Sequence, residues 1–356
     1  MRQKRLKAPA SSYADTAYYH CVSRVVNREF VFGDAEKEEF VRLMRVYERL
    51  CGVRVVTYCV MSNHFHVLVG VPKRPEALPS NEELIRTVRA SLGDLEADGL
   101  EWSLGEAAKI KSATWEAEIC ERYLRRMWDI SLFMKTLKQR FTQWFNKTHK
   151  RKGTIWEERF RSVLVQSAGE PLRAMAAYID LNPIRASMVD DPRDYAWSGY
   201  GAAMTGDERA LAGLQEIERA AMAGASPEVV AASEEKQRGK SPELRAMETL
   251  SAYRMLLYER GAGDDGQALL KGFSREEARQ VVTEGGRLPQ SAYLRCRVRY
   301  FTDGAVVGSR SFVNEVFEAQ RERYGANRKT GARLMTGLAR DEKLYAMRDL
   351  KLQTVA

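Results

Sequence analysis

The chain has four histidines, and two of them, His64 and His66, stand one residue apart in the stretch VMSNHFHVLVGVP. On a strand, residues i and i+2 point to the same face. Both imidazoles therefore project together, while Phe65, Val67 and Val69 point the other way. Two imidazoles side by side on a rigid strand can chelate one cation. The plain alternative is a pair of half-exposed histidines on a sheet face. A second set lies in AAYIDLNPIRA. Tyr178 and Asn182 are four residues apart and stack on one helical face. Asn182 offers an amide oxygen that suits a hard divalent ion, and Tyr178 offers a hydroxyl. Pro183 disfavours helical geometry at Asn182, which puts the pair at a helix end or a kink. The alternative here is a core aromatic at Tyr178 and a C-terminal cap at Asn182.

Two histidines and one amide oxygen leave coordination positions open. A Mg²⁺ or Mn²⁺ ion there can bind phosphate oxygens and stabilise charge developing at phosphorus. A tyrosine hydroxyl with a pKa near 10 is a weak nucleophile at neutral pH, but it suits phosphoryl transfer when a metal aligns and polarises the phosphodiester. The product is a phosphotyrosine ester that a free 3′-OH can reverse without ATP. Cutting and rejoining a DNA strand is the chemistry that these residue types permit.

The elements that must position these groups are legible from periodicity. TAYYHCVSRVV (16–26) reads as a strand. DAEKEEFVRLMRVYERLCG reads as a helix capped by Asp34, with Phe40, Leu43, Met44, Tyr47 and Leu50 on one stripe and Gly52 at its end. VRVVTYCV (53–60), a tight MSN turn and HFHVLVGV (64–71) give a hairpin backed by that helix. From Pro72 to about residue 128 the pattern is helical, charged and poor in aromatics, and looks like an insertion. Residues 130–153 form an amphipathic helix with Phe133, Leu137 and Phe141 inside. RFRSVLVQS (159–167) returns as a strand, and residues 170–186 as a helix. Residues 206–246 read as a helical linker of weak periodicity. A second unit then begins, with helices near 244–260 and 274–284 and RVRYF as a strand with alternate arginines. The fold class is α+β: a small antiparallel sheet flanked by helices, with a helical insertion and a mainly helical C-terminal extension.

Bulk composition narrows the partners. In 356 residues there are 57 Lys and Arg against 48 Asp and Glu, a net charge of +9. That balance favours a polyanion, nucleic acid or an anionic surface, or belongs to a soluble protein that is merely basic. No run of about 18 apolar residues exists to span a membrane, and the basic N-terminus lacks the apolar stretch that export requires. The five cysteines show no CxxC spacing, which argues against structural zinc and for reduced thiols. The expectation is an intracellular, cytoplasmic and nucleoid-associated bacterial protein.

In order along the chain, YYHCVSRVVNREFVF, YCVMSNHFHVLV, FMKTLKQRFTQWFN, GTIWEERFRSVLV and YIDLNPIRASMV…DYAWSGY resemble the single-tyrosine HUH transposases, the insertion-sequence-200-like superfamily, and within it the REP-associated tyrosine transposases. The resemblance covers about residues 10–205, minus the insertion. It implies a ferredoxin-like or RRM-like HUH endonuclease fold with the motif on a central strand. It implies His64 and His66 as metal ligands, Asn182 as the third ligand, and Tyr178 as the nucleophile that takes the 5′-phosphate. The implied substrate is single-stranded DNA folded into hairpins at palindromic repeats. Relatives work as monomers or as homodimers with sites in trans. The domains expected are 1–205 for the nuclease (with the insertion at about 73–128), 206–246 for the linker and 247–356 for the extension.

Nine basic residues lie between positions 135 and 161: Lys135, Lys138, Arg140, Lys147, Lys150, Arg151, Lys152, Arg159 and Arg161, opposed by Glu157 and Glu158 alone. With Trp156 they form the expected DNA-binding set, since phosphate contacts beside stacking platforms are what single-strand binding requires. Phe141 and Trp144 read as core. A second basic cluster, Arg287 to Arg333, is either a further DNA-contacting module or a basic domain that only packs against the nuclease. The competing functions are a non-catalytic DNA-binding regulator on the same fold and a metal hydrolase of small phosphates, which the basic, aromatic surface disfavours.

Overall fold

A computed structural model describes residues 15–222, 238–261, 299–302, 304–335 and 343–348, with a few isolated positions besides. Its strands are β1 (Thr16–Arg24), β2 (Arg54–Val60), β3 (His64–Pro72), β4 (Arg161–Val165), β5 (Gly304–Gly308), β6 (Arg333–Leu334) and β7 (Tyr345–Arg348). They form one seven-stranded mixed sheet in the order β2-β3-β1-β4-β5-β7-β6. The β2–β3 hairpin is as expected. Met61 N–H donates to the His64 carbonyl at 2.8 Å to close its turn, and Val25 and Phe32 N–H donate to the carbonyls of Asn63 and Ser62.

Phe65, Val67 and Val69 face α1 (Asp34–Leu50), whose stripe Phe40, Leu43, Met44, Tyr47 and Leu50 is buried as its periodicity predicts. The Phe40 and Phe65 ring centroids are 4.5 Å apart. The insertion is helical, as expected: α2 (Asn81–Leu92), α3 (Asp94–Lys109) and α4 (Ala113–Leu124). Ser80 and Glu83 make a reciprocal capping box at the start of α2. Then α5 (Ile130–Thr148) packs on α1, and Phe141 completes the same layer against Phe32 and Phe40. Each such ring, fully buried, stabilises the fold by about 1.5–3 kcal/mol.

The opposite face of the sheet carries α6 (Glu170–Asp180), the single turn α7 (Asn182–Arg185), α8 (Gly199–Met204), α9 (Glu208–Met222) and α10 (Pro242–Gly261). A buried carboxylate joins them. Asp180 of α6 accepts from Thr57 Oγ1 at 2.8 Å, from the Tyr253 hydroxyl of α10 at 2.6 Å and from Tyr200 N–H at 3.0 Å. Burial pushes its pKa up to about 6 in spite of these donors.

Three expectations change. The sheet is larger than the small antiparallel one anticipated. GAVVG (β5) is buried along its whole length and pairs parallel to β4, Leu164 against Val306, so the extension adds three strands. The last three residues of RVRYF form with Thr302 one helical turn, α11 (Arg299–Thr302), rather than a strand; the first two, and the helix expected near 274–284, lie outside the described residues. Finally, α9 is no linker. Leu214 and Ile217 are fully buried, and Glu216 accepts a 2.5 Å hydrogen bond from the Tyr18 hydroxyl and pairs with Arg54. Small residues let this amphipathic helix lie close on the sheet: a Cβ on Gly213 would collide with the Val56 carbonyl. No helix among the described residues is long and apolar enough to cross a membrane.

This packing reverses the usual sign of a helix substitution. In a solvated linker helix, Gly213→Ala gains about 1 kcal/mol from helix propensity. Against Val56 it should instead lose about 1–3 kcal/mol through overpacking. Urea unfolding of the two proteins decides; a stabilised variant would return α9 to the role of a linker.

Candidate active site

The pairing of β1 with β3 sets Val22 opposite His66 and Arg24 opposite His64. Directly paired residues share a face, so His20, Val22 and Arg24 line the surface on which His64 and His66 stand. Three of the four histidines of the chain thus meet there. His66 and His20 are buried; His64 is half-buried at the edge. The ring centroids of His64 and His66 are 5.0 Å apart at 78°. His20 Nε2 and His66 Nδ1 are 2.9 Å apart. Their rings are 13° from parallel with centroids 5.1 Å apart, the separation of two rings laid end to end along that hydrogen bond rather than face to face. Burial lowers His20 to about 4, and burial followed by the Arg24 charge lowers His64 to about 4. His66 is likewise driven well below the usual imidazole range by burial, then by the His64 and His20 imidazoles and the Arg24 and Arg185 charges. All three rings are uncharged at neutral pH.

Tyr178 arrives from α6. Gly169, at φ 75°, lets the chain turn into this helix, and Pro171 sits in its first turn. The helix breaks at Leu181, and Pro183 starts the next turn, the kink that the proline predicts. The Tyr178 ring lies 5.7 Å from His66 and 5.9 Å from His20. Arg185 holds it from the other side: its guanidinium lies 4.5 Å from the ring centre and donates to the Tyr178 carbonyl at 2.9 Å. Phe301 of α11 stacks on it at 4.8 Å and 22°, leaving Tyr178 3% exposed. The Asn182 amide nitrogen donates to the Tyr178 and Ile179 carbonyls at 2.9 and 3.1 Å. The core and capping roles of these two residues are therefore both present, and only the amide oxygen of Asn182 is of the type to meet a cation.

The donor chemistry fits a divalent ion in part. His64 and His66 are neutral imidazoles on one face, and Asn182 brings an oxygen just beyond the end of the helix that carries Tyr178. Among the described residues no group of three or more His, Cys, Asp or Glu is arranged to hold an ion. An ion bound here would draw its remaining ligands from water or from phosphate oxygens.

Sequence reasoning missed His20, Arg24, Arg185 and Phe301. The first two carry a signal: four residues apart on β1, they fall on one face of that strand as His64 and His66 do on β3. Arg185 is seven residues, two helical turns, beyond Tyr178. Nothing local marks Phe301.

The expected DNA-binding set divides. Lys135, Arg140, Lys147, Lys150, Arg151, Lys152, Arg159 and Arg161 are exposed. The three on α5 belong to the Phe65 side of the sheet, away from the histidines. Arg161 pairs opposite Val22 and so shares the histidine face. The turn at 150–153, with Lys150 at φ 52° and Gly153 at φ 88°, leads into a segment bonded to the end of β1 through Val26 N–H to the Ile155 carbonyl and Glu157 N–H to the Arg24 carbonyl. Lys138 and Trp156 are corrections. Trp156 is 8% exposed, packed edge-on to Phe65 and donating its indole N–H to Thr142 Oγ1 at 2.8 Å. Lys138 is 7% exposed and spends its ammonium on the Glu158 carbonyl at 2.8 Å and the Trp156 ring. A satisfied indole and ammonium can both be core.

Burial pushes Lys138 down to about 8 from 10.5. Below pH 8 both the folded and unfolded chains carry the proton, and the fold bears a buried charge. Between pH 8 and 10.5 only the unfolded chain still binds it, so stability rises with pH across that window, by about 3 kcal/mol in all. Lys138→Met should abolish that rise in urea titrations while leaving affinity for single-stranded DNA unchanged; a tenfold loss of affinity would restore Lys138 to the DNA surface.

Comparison with known proteins adds three findings. The chain matches no curated protein. A solved structure similar to it is that of a REP-associated tyrosine transposase bound to a REP hairpin, at 14% identity and a TM-score of 0.35, covering 58% of this chain and 87% of that one. The sequence model of the family described as "Transposase IS200 like" matches residues 13–78. Those residues hold β1, α1, β2 and β3, with His20, His64 and His66. The part of the chain that carries these three histidines is thus similar in sequence to the IS200-like transposases.

Proposed function

We propose that the protein is a single-tyrosine DNA strand transferase, a metal-dependent endonuclease and transposase acting on hairpin-forming single-stranded DNA. The observation that carries this reading is the Tyr178 ring beside His66, on the face where both histidines of an IS200-like HxH motif project. His64, His66 and the Asn182 amide oxygen would hold Mg²⁺ or Mn²⁺. Such an ion, when bound, supplies polarisation of the scissile phosphodiester.

The rest falls to the chain. The Tyr178 oxygen attacks phosphorus, an ester bond to the 5′-phosphate forms, the bond to the 3′-oxygen breaks, and the phenol proton ends on that leaving oxygen. Attack by a 3′-OH on the phosphotyrosine reverses each change, so strands can be exchanged without an energy source. Arg185 fixes the ring's direction. Arg24 and Arg161, on the histidine face, suit the flanking phosphates. The Phe301 ring must give way for a strand to reach Tyr178.

That cover is also what favours the second reading, a DNA-binding regulator whose tyrosine never reacts. Incubation of hairpin-forming single-stranded DNA with the protein and Mg²⁺ or Mn²⁺ separates the two. The expected result is a protein–DNA adduct that survives denaturation, absent in Tyr178→Phe. His64→Ala should lose the adduct yet bind DNA within about threefold, because affinity rests on phosphate contacts elsewhere. Absence of an adduct in the wild type, or its survival in Tyr178→Phe, leaves the regulator.

A further inference from the structure

We infer that two hydrogen-bond relays, each ending on a main-chain carbonyl, lock His64 and His66 into one tautomer, and that Asn63 and His20 are the positioning residues of the site. The inference rests on the proposed metal role only for its purpose; the tautomers themselves follow from geometry.

The first relay starts at Phe301. Its carbonyl oxygen can only accept, and it lies 2.9 Å from His20 Nδ1. That nitrogen therefore carries the ring's proton. An uncharged imidazole has one N–H and one lone pair, so His20 Nε2 is an acceptor. The atom 2.9 Å from it is His66 Nδ1, which must donate. The lone pair of His66 is thereby assigned to Nε2.

The second relay starts at Arg28. Its carbonyl accepts from Asn63 Nδ2 at 3.2 Å, which turns the Asn63 oxygen the other way. That oxygen lies 2.7 Å from His64 Nδ1, so His64 Nδ1 carries the proton and the lone pair is on Nε2. Arg28 and its neighbour Asn27 hold φ of 57° and 54°. A left-handed conformation at two non-glycine residues is unfavourable, and here it accompanies the carbonyl that orients Asn63.

The two relays share no residue and approach from different elements, one from the loop after β1 and the other from the C-terminal segment. Both end with Nδ1–H inward and Nε2 left as the donor atom. Free histidine side chains have no such agreement. Outer-shell acceptors of this kind fix ring orientation and raise ligand basicity, and their loss typically lowers metal affinity about 10–100-fold.

With only four histidines in the chain, nitrogen-15 NMR of the metal-free, histidine-labelled full-length protein reads each tautomer directly. Expected at pH 7 are protonated Nδ1 and unprotonated Nε2 in His20, His64 and His66. A protonated Nε2 in either His64 or His66 overturns the inference. Mn²⁺ affinity, measured by electron paramagnetic resonance, should fall about 10–100-fold in His20→Phe and in Asn63→Ala; unchanged affinity in both also overturns it. The wild-type NMR needs no variant to fold. A wild type with the expected tautomers that binds no Mn²⁺ upholds the relays and defeats the metal reading. One that binds Mn²⁺ with other tautomers does the reverse.

Discussion

The register of β1 against β3 is the constraint on which the site depends. Val22 opposite His66 brings His20, Arg24, His64 and His66 to one surface. A slip of one residue would turn every side chain of β3 to the other side, placing both imidazoles in the Phe40–Phe141 layer and Phe65 beneath Tyr178. What forbids the slip is the contrast between the faces. On one side lies a dense aromatic layer with Phe65 and Phe40 centroids 4.5 Å apart. On the other lie hydrogen bonds that apolar residues could not make, from the histidine pair to the Tyr18–Glu216 bond. The same burial that fixes the register also strips the imidazoles of their charge.

The second face is held by polar groups rather than by grease alone. Asp180 ties α6 to β2 and to α10, and Asp191 pairs with Arg254 of α10 at 2.8 Å. Removing one partner from a buried set of this kind leaves an uncompensated charge and costs more than the pair contributes. Residues far along the chain are therefore part of what seats Tyr178. The N-terminal portion and the C-terminal segment share one sheet through the β4–β5 pairing, and one cluster through Phe301.

How far the site could be read in advance follows from the range of each signal. His64 and His66 were legible because strand periodicity acts over two residues, and Tyr178 and Asn182 because helical periodicity acts over four. The α1 stripe and the kink at Pro183 were legible for the same local reason. His20 required knowing which strand pairs with β3 and in what register, a non-local fact. Phe301 required knowing that a strand 140 residues beyond β4 docks beside it. Lys138 and Trp156 were misread because an amphipathic helix with basic residues looks alike whether a given lysine is solvated or bent inward. Only the three-dimensional position of the Glu158 carbonyl distinguishes the two. For α9, small residues that mark a loose linker also permit the closest approach of helix to sheet.

The His20–Phe301 hydrogen bond spans 281 residues, and its length has a meaning in time. A ribosome adds about 5–20 residues per second, so His20 leaves the ribosome roughly 15–55 s before its partner does. For most of that interval the nascent chain can own a complete hairpin and both HxH histidines, yet lack the carbonyl that orients His20, and through it His66, and the ring that covers Tyr178. A product terminated before residue 301 would carry the HxH pair without the hydrogen bond and the ring that complete this arrangement.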